Sequence, residues 1–216
     1  DDGEGVKNPD PKNEKFLSFE GGMGYRSQDR AISFDLSAYY TNWQDRTWSI
    51  FVPNLVAPGE DGLVNLLGLN QRHMGIEASA AYQPCDLLRL DAAASVGQWK
   101  YLNDVIGQYN AENQASPTVT DTLFIKNLKV ADAPQSQVAY AVSVFPIEGG
   151  YARFQGRTYW NHFAEFSPEG RTNVSDRGVQ PWKAPGYSVF DLHASYQLRE
   201  LIPVWKGGDV RLFANI

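Results

Sequence analysis

Nine charged side chains, Glu20, Asp35, Glu77, Arg89, Asp91, Arg153, Arg157, Asp191 and Arg211, fall on the polar side of stretches that alternate apolar and polar residues. Carboxylates and guanidiniums spaced this way can meet a solute or a protein partner. They can also neutralise one another across neighbouring strands as a salt-bridge lattice. Aromatic residues gather at the ends of the same stretches: Tyr39 and Trp43, Trp99 and Tyr101, Tyr159 and Trp160. Parity divides them. Tyr40 and Trp160 share the apolar face, as residues of a membrane-interface belt do. Tyr39, Trp43, Trp99, Tyr101 and Tyr159 share the polar face, where they can stack on a ligand or pack loops. Trp43, Trp99, Tyr101 and Tyr159, with Asn161 beside them, are the candidate substrate-binding residues.

Bond-making chemistry finds less support. His73, His162 and His193 are scattered, none at metal-ligand spacing from another, and no HExxH occurs. His162 and Ser167 lie near one rim, but the sequence shows no recognisable third member of a Ser/His/Asn or His/Asp hydrolase constellation there. No GxSxG, P-loop or EF-hand loop is present, and Gly21-Gly22-x-Gly24 lies inside a strand, where glycine relieves crowding or allows a bend. The single Cys85 forms no disulfide within the chain and no metal cluster. The expectation is a protein that is not an enzyme, with no metal site and no cofactor.

The elements that position these residues are long strands. In 31–41, AISFDLSAYYT, residues Ile32, Phe34, Leu36, Ala38 and Tyr40 take one face, and Ser33, Asp35, Ser37, Tyr39 and Thr41 the other. Similar alternation covers about 16–26, 72–83, 88–96, 135–145, 151–163 and 187–198, with a last strand from near Asp209. Strands of soluble sandwiches average about 5–6 residues. A tilted strand of about 9–11 residues is what crosses a bilayer. The connections alternate too. Short turns at 27–30, 83–87, 146–150 and 199–208 are interleaved with long segments at 44–70, 103–133 and 164–185, within which DTLFIKNLKV can form a small strand. Short turns on the periplasmic rim and long loops outside are the asymmetry of outer-membrane barrels.

Composition agrees. Mean hydropathy is −0.40, and no apolar run is long enough for a membrane-spanning helix. A barrel's wet lumen face lowers its average hydropathy in just this way. The net charge of −6 and the absence of a Lys/Arg cluster argue against a nucleic-acid partner. Aromatic residues at 13% suit interface girdles, and equally a soluble carbohydrate-binding β-sandwich.

Particular segments resemble TonB-dependent outer-membrane receptors. NPDPKNEKFLSFEGGMGYR (8–26) looks like their Asn-Pro-x-x-Lys-x-Glu run into a barrel strand. NLLGLNQRHMGIEASAAYQP (65–84) carries their Gly-Ile/Val-Glu core as Gly75-Ile76-Glu77. LDAAASVGQWKYLNDV (90–105), WKAPGYSVFDLHASYQL (182–198) and VRLFANI (210–216) are similar to later strands in the family's order. The resemblance implies an all-β, transmembrane antiparallel β-barrel in the outer membrane, incomplete here. About eight long strands cannot close the roughly 22-stranded barrel of such transporters. It further implies that 1–216 is a C-terminal barrel portion without the plug domain or the final strand. Implied partners are outer-membrane lipid, the plug and remaining strands of the same receptor, TonB through that plug, and a surface lipoprotein. The implied function is TonB-energised uptake of a scarce solute of the siderophore, cobalamin, haem or glycan class. A passive porin-like barrel is the alternative within the fold.

Overall fold

The computed structural model describes residues 12–57, 59–109, 119–131, 133–198 and 210–216. Among them are twelve strands. They are β1 (Lys15–Arg26), β2 (Ile32–Ala57), β3 (Glu60–Cys85), β4 (Leu88–Tyr101), β5 (Val105–Tyr109), β6 (Val119–Leu123), β7 (Ser136–Val144), β8 (Gly150–Trp160), β9 (His162–Phe163), β10 (Lys183–Ala184), β11 (Tyr187–Gln197) and β12 (Arg211–Asn215). One sheet runs in the order β1-β2-β3-β4-β7-β8-β11-β12, every neighbour antiparallel. This is an up-and-down meander with β1 and β12 at its edges, not two stacked sheets around a dry core. The partial transmembrane barrel expected from the alternation is the architecture found.

Register carries the two faces across the sheet. Phe34, Ala80, Ala92, Tyr140, Gly156 and Phe190 form one row over β2, β3, β4, β7, β8 and β11. The next residue along gives the opposite face: Asp35, Ser79, Ala93, Ala139, Arg157 and Val189. The apolar face is bare, with Phe19, Met23, Ile76, Val142, Phe154 and Leu192 all exposed. Such a face is stable only against a medium as apolar as itself. On the polar face, Gly22, Asp35, Glu77, Ser95, Gln137 and Arg157 line a single hollow of about 570 Å³ spanning β1 to β8, so that face is concave.

Strict alternation of direction places the turns at 27–31, 86–87 and 145–149 on one rim and the longer connections on the other. The turn expected at 199–208 and the start of the last strand near Asp209 lie outside the described residues, as do 1–11 and 110–118.

The segment 44–70 corrects the sequence reading. It is not an outer loop: β2 and β3 continue through it as an arm, 26 residues each. At about 3.3 Å per residue each strand is far longer than the roughly 30 Å hydrocarbon layer. Bulges hide this from a period-two reading. The register slips between Trp43 and Arg46 and again between Arg46 and Trp48, with Asp45 (φ 56°) and Gly68 (φ 70°) left-handed. Each slip flips the apolar parity. The Asn70 side chain accepts from the Asp45 amide at 3.0 Å, and Asn103 accepts from the Asn70 amide at 2.9 Å, so the irregular backbone is satisfied.

Beyond the rim, the arm meets the hairpin β5–β6 and the segments 124–131 and 164–171. Leu66, Leu69, Ile125 and Leu128 are fully buried there, with Tyr101, Val105, Leu123 and Phe166 around them. This apolar cluster is a protein core of the ordinary kind. The strand expected over 151–163 also breaks: Asn161 is left-handed (φ 56°), which asparagine tolerates, and His162–Phe163 turns away to pair with β10.

Candidate functional site

The concave face carries the charge lattice. Arg26 is bidentate on Asp35 at 2.9 and 3.1 Å. Asp91 lies between Arg89 and Arg153, at 2.9 Å from each, and Arg153 also donates to the Ser143 hydroxyl at 3.1 Å. Asp191 accepts from Arg157 at 2.9 Å and from Gln155 at 3.1 Å. These links tie β4, β7, β8 and β11 together on the wet side. Glu20 and Glu77 are less engaged: Glu77 accepts from Ser95 at 3.4 Å, and both remain exposed. Arg211 is exposed on β12.

The aromatic candidates sit above this lattice, and the structure separates their roles. Trp99 and Tyr39 reach each other across β3, the indole Nε1–H donating to the phenol oxygen at 2.8 Å. They can do so because Gly75 and Gly97 face each other between them. A Cβ on Gly75 would stand 2.6 Å from the Tyr39 oxygen, and one on Gly97 would stand 2.8 Å from the Trp99 Nε1. The strand stays regular through Gly97, so the parity that places Trp99 on the polar face holds. His73 lies 5.5 Å from the Trp99 ring and bonds Gln71 at 3.0 Å.

Trp43 is half-buried and already in contact with neighbouring side chains. The tilted Phe16 ring lies 4.6 Å from its centroid, and the Arg46 guanidinium lies over the ring at 4.5 Å. Its Nε1–H donates to Glu14 at 3.0 Å. Tyr101 is corrected: at 1% exposure, with its edge to Phe166 at 5.6 Å, it belongs to the loop core instead of lining an open vestibule. Its parity is as expected, but the arm and the loops close over it. Tyr159 pairs with Tyr187 at 5.1 Å and stays half-exposed, and Asn161 donates to the Ser136 hydroxyl at 3.0 Å. The structure therefore joins Trp99 with Tyr39, sets Trp43 against Phe16, Arg46 and Glu14, buries Tyr101 in the loop core, and leaves Tyr159 with Asn161 at the end of β8, two strands along from β4.

Three participants went unseen in the sequence. Arg46 lies over both Trp43 and Trp48, at 4.5 and 5.4 Å. Gln135 accepts from the Trp99 amide and donates to the Trp99 and Val130 carbonyls, each at 3.0 Å, which fixes Trp99 from its backbone. Tyr187 completes the ring pair. Only Arg46 left a signal, as an arginine between two tryptophans. Among the described residues no group of three or more His, Cys, Asp or Glu side chains can hold a metal ion.

The outer segments are latched together. Gln180 accepts from the Lys129 amide at 2.9 Å and donates to the Asn127 carbonyl at 3.0 Å. Arg177 lies over Phe124 at 4.6 Å, and the Phe124 amide donates to the Arg171 carbonyl at 2.8 Å.

Among solved structures, the chain is similar to one named "Copper transporter OprC", with a TM-score of 0.61 at 17% identity, covering 94% of this chain and 25% of that one. Likeness at that identity speaks for the fold, and this chain spans about a quarter of that structure's length. No curated protein sequence matches. A family model described as "TonB dependent receptor-like, beta-barrel" matches residues 3–216. A meander of long two-faced strands, an ion-paired concave wall and a match over almost every residue lead to one conclusion: the chain belongs to the TonB-dependent receptor-like β-barrel family.

Proposed function

We propose that this chain forms part of the barrel wall of an outer-membrane transporter that takes up a scarce solute with energy delivered through TonB. The carrying observation is the pairing of faces in one continuous sheet, a bare apolar face and a concave face of linked charges. A wall of this kind separates lipid from an aqueous interior and performs no bond chemistry. Further strands would pair with β1 and β12, because an unpaired sheet edge in hydrocarbon costs several kcal/mol per unmet backbone group. A plug contributed by the same receptor would fill the lumen and transmit the pull of TonB, and a surface lipoprotein would act at the mouth.

Within this reading the long connections face outward, and Trp99 with Tyr39, Tyr159 and Asn161 border the solute's path. Trp43 and Tyr101 would act through packing, holding strand tops and loops in place. The solute class, among siderophores, cobalamin, haem and glycans, is to be read by experiment. Uptake of labelled candidates would be compared in cells carrying the intact gene, a gene deletion, and a TonB deletion. Accumulation of one candidate that needs both genes supports the proposal. Accumulation indifferent to TonB would leave the passive porin as the answer.

A further inference from the structure

The outward face does not end where its apolar residues end. Above the row Tyr40–Met74–Gln98, the next outward row on β2, β3 and β4 is Asn42–Arg72–Lys100, and Lys100 bridges in turn to Lys129. Three cations thus stand on adjacent positions. Like charges placed directly across strands repel, yet among the described residues no ion pair joins any of the three to a carboxylate. Their partners are neutral: Arg72 donates to Gln98 at 3.2 Å and Lys100 to Asn127 at 3.3 Å. The Arg72 Nε–H is buried with no acceptor among the described residues. Burial, and then the neighbouring Lys100 charge, hold the Lys129 ammonium below the usual lysine range. The chain tolerates an electrostatic cost here that a bound anion would remove.

Position identifies the anion. Along β4 the outward residues run from Leu88 to Lys100. Hydrocarbon takes about 9–11 residues of a tilted strand, so Lys100 emerges at headgroup level. We propose that Arg72, Lys100 and Lys129 form a site on the outer wall that holds a phosphate of a membrane-lipid headgroup. The bidentate fork of Arg72 grips the phosphate, and the two ammonium groups supply point charge. The proposal rests on the membrane-wall reading above. It adds that the wall recognises a lipid by charge as well as by apolarity.

The test uses the intact protein purified from outer membranes and three probes in nonionic micelles: bisphosphorylated lipid A, the same lipid without its phosphates, and inorganic phosphate. Bound lipid is counted by native mass spectrometry over a titration. The expected result is saturable binding of the phosphorylated lipid alone. Each Gln substitution, Arg72→Gln, Lys100→Gln or Lys129→Gln, should weaken it about fivefold, with Lys183→Gln without effect. Should the strand variants Arg72→Gln or Lys100→Gln fail to assemble, Lys129→Gln alone, in a loop, still reads the fivefold step. Unchanged affinity in these variants would overturn the proposal, as would equal binding of the phosphate-free lipid. Competition by inorganic phosphate at lipid-equivalent concentration would reassign the site to a free anion. A protein that stays in solution without detergent would instead overturn the membrane-wall reading itself.

Discussion

Gly75→Ala is the most exacting small change this wall offers. The added methyl carbon would lie 2.6 Å from the Tyr39 oxygen and 2.8 Å from two ring carbons. Ordinary contact begins near 3.4 Å, so the ring must retreat by most of an ångström. The Tyr39 oxygen is held at 2.8 Å by the Trp99 indole, so the ring cannot move without straining that bond. Overpacking costs about 1–3 kcal/mol, and loss of one half-buried hydrogen bond about 0.5–1.5 kcal/mol. Alanine's backbone preference over glycine within a strand returns about 0.5–1 kcal/mol. A net loss of about 0.5–4 kcal/mol follows. Gly21→Ala is the internal control: nothing lies within 4 Å of its added carbon, so the strand preference alone remains and the change is neutral or slightly stabilising. The assay is urea unfolding in detergent followed by tryptophan fluorescence, with Tyr39→Ala and the double variant completing a cycle. Tyr39→Ala removes the obstacle, so Gly75→Ala should cost little on that background. Equal midpoints for Gly75→Ala and Gly21→Ala, or strict additivity in the cycle, would refute the reasoning.

Three other outcomes are expected. Leu36→Arg, in the middle of the apolar face, should cost about 2–4 kcal/mol in the bilayer and block assembly, while Asp35→Arg, one residue along on the wet face, assembles; heat-modified gel mobility of both variants distinguishes them. Asp91→Asn leaves Arg89 and Arg153 without their shared carboxylate, and a loss of about 1–3 kcal/mol is expected, measured by the urea midpoint. At the turn, the Ser27 hydroxyl and then the Ala31 amide hold the Asp29 carboxyl below the usual range. Its folded value is depressed, so its stabilisation is present above the unfolded value of about 3.9 and fades as pH falls through the lower folded value; the amide-exchange protection factor of Ala31 should drop over that interval and not above pH 5.

The meander was legible because each strand faces two different solvents. Ile32 to Thr41 alternates without a break, and a one-residue slip would turn Asp35 toward the apolar side, so register and pattern enforce each other. The short turns near 27–30, 83–87 and 146–150 were legible for the same reason. The arm was not. Asp45 and Gly68 each insert a residue into the ladder, and Pro53 and Gly59 look like loop punctuation, so 44–70 shows no single period. Tyr101 and Trp99 show a further limit: they share a parity, yet one is buried and the other half-exposed. What decides between them is the return of Phe166 and Leu128 from distant parts of the chain, a contact no local pattern records. The glycines opposite Tyr39 and beside Trp99 are similar, since their purpose appears only once the register is known.

The buried cluster of Leu66, Leu69, Ile125 and Leu128 gives the molecule two thermodynamic characters. Its apolar surface leaves water for protein, so its unfolding carries a positive heat-capacity change and a stability maximum near ambient temperature. The apolar face of the wall leaves water for lipid, and its stability follows the bilayer's thickness and composition instead. The outer cap can therefore melt and re-form on a temperature scale of its own while the wall stays in place. A cell that changes its lipids would retune the wall and leave the cap as it was.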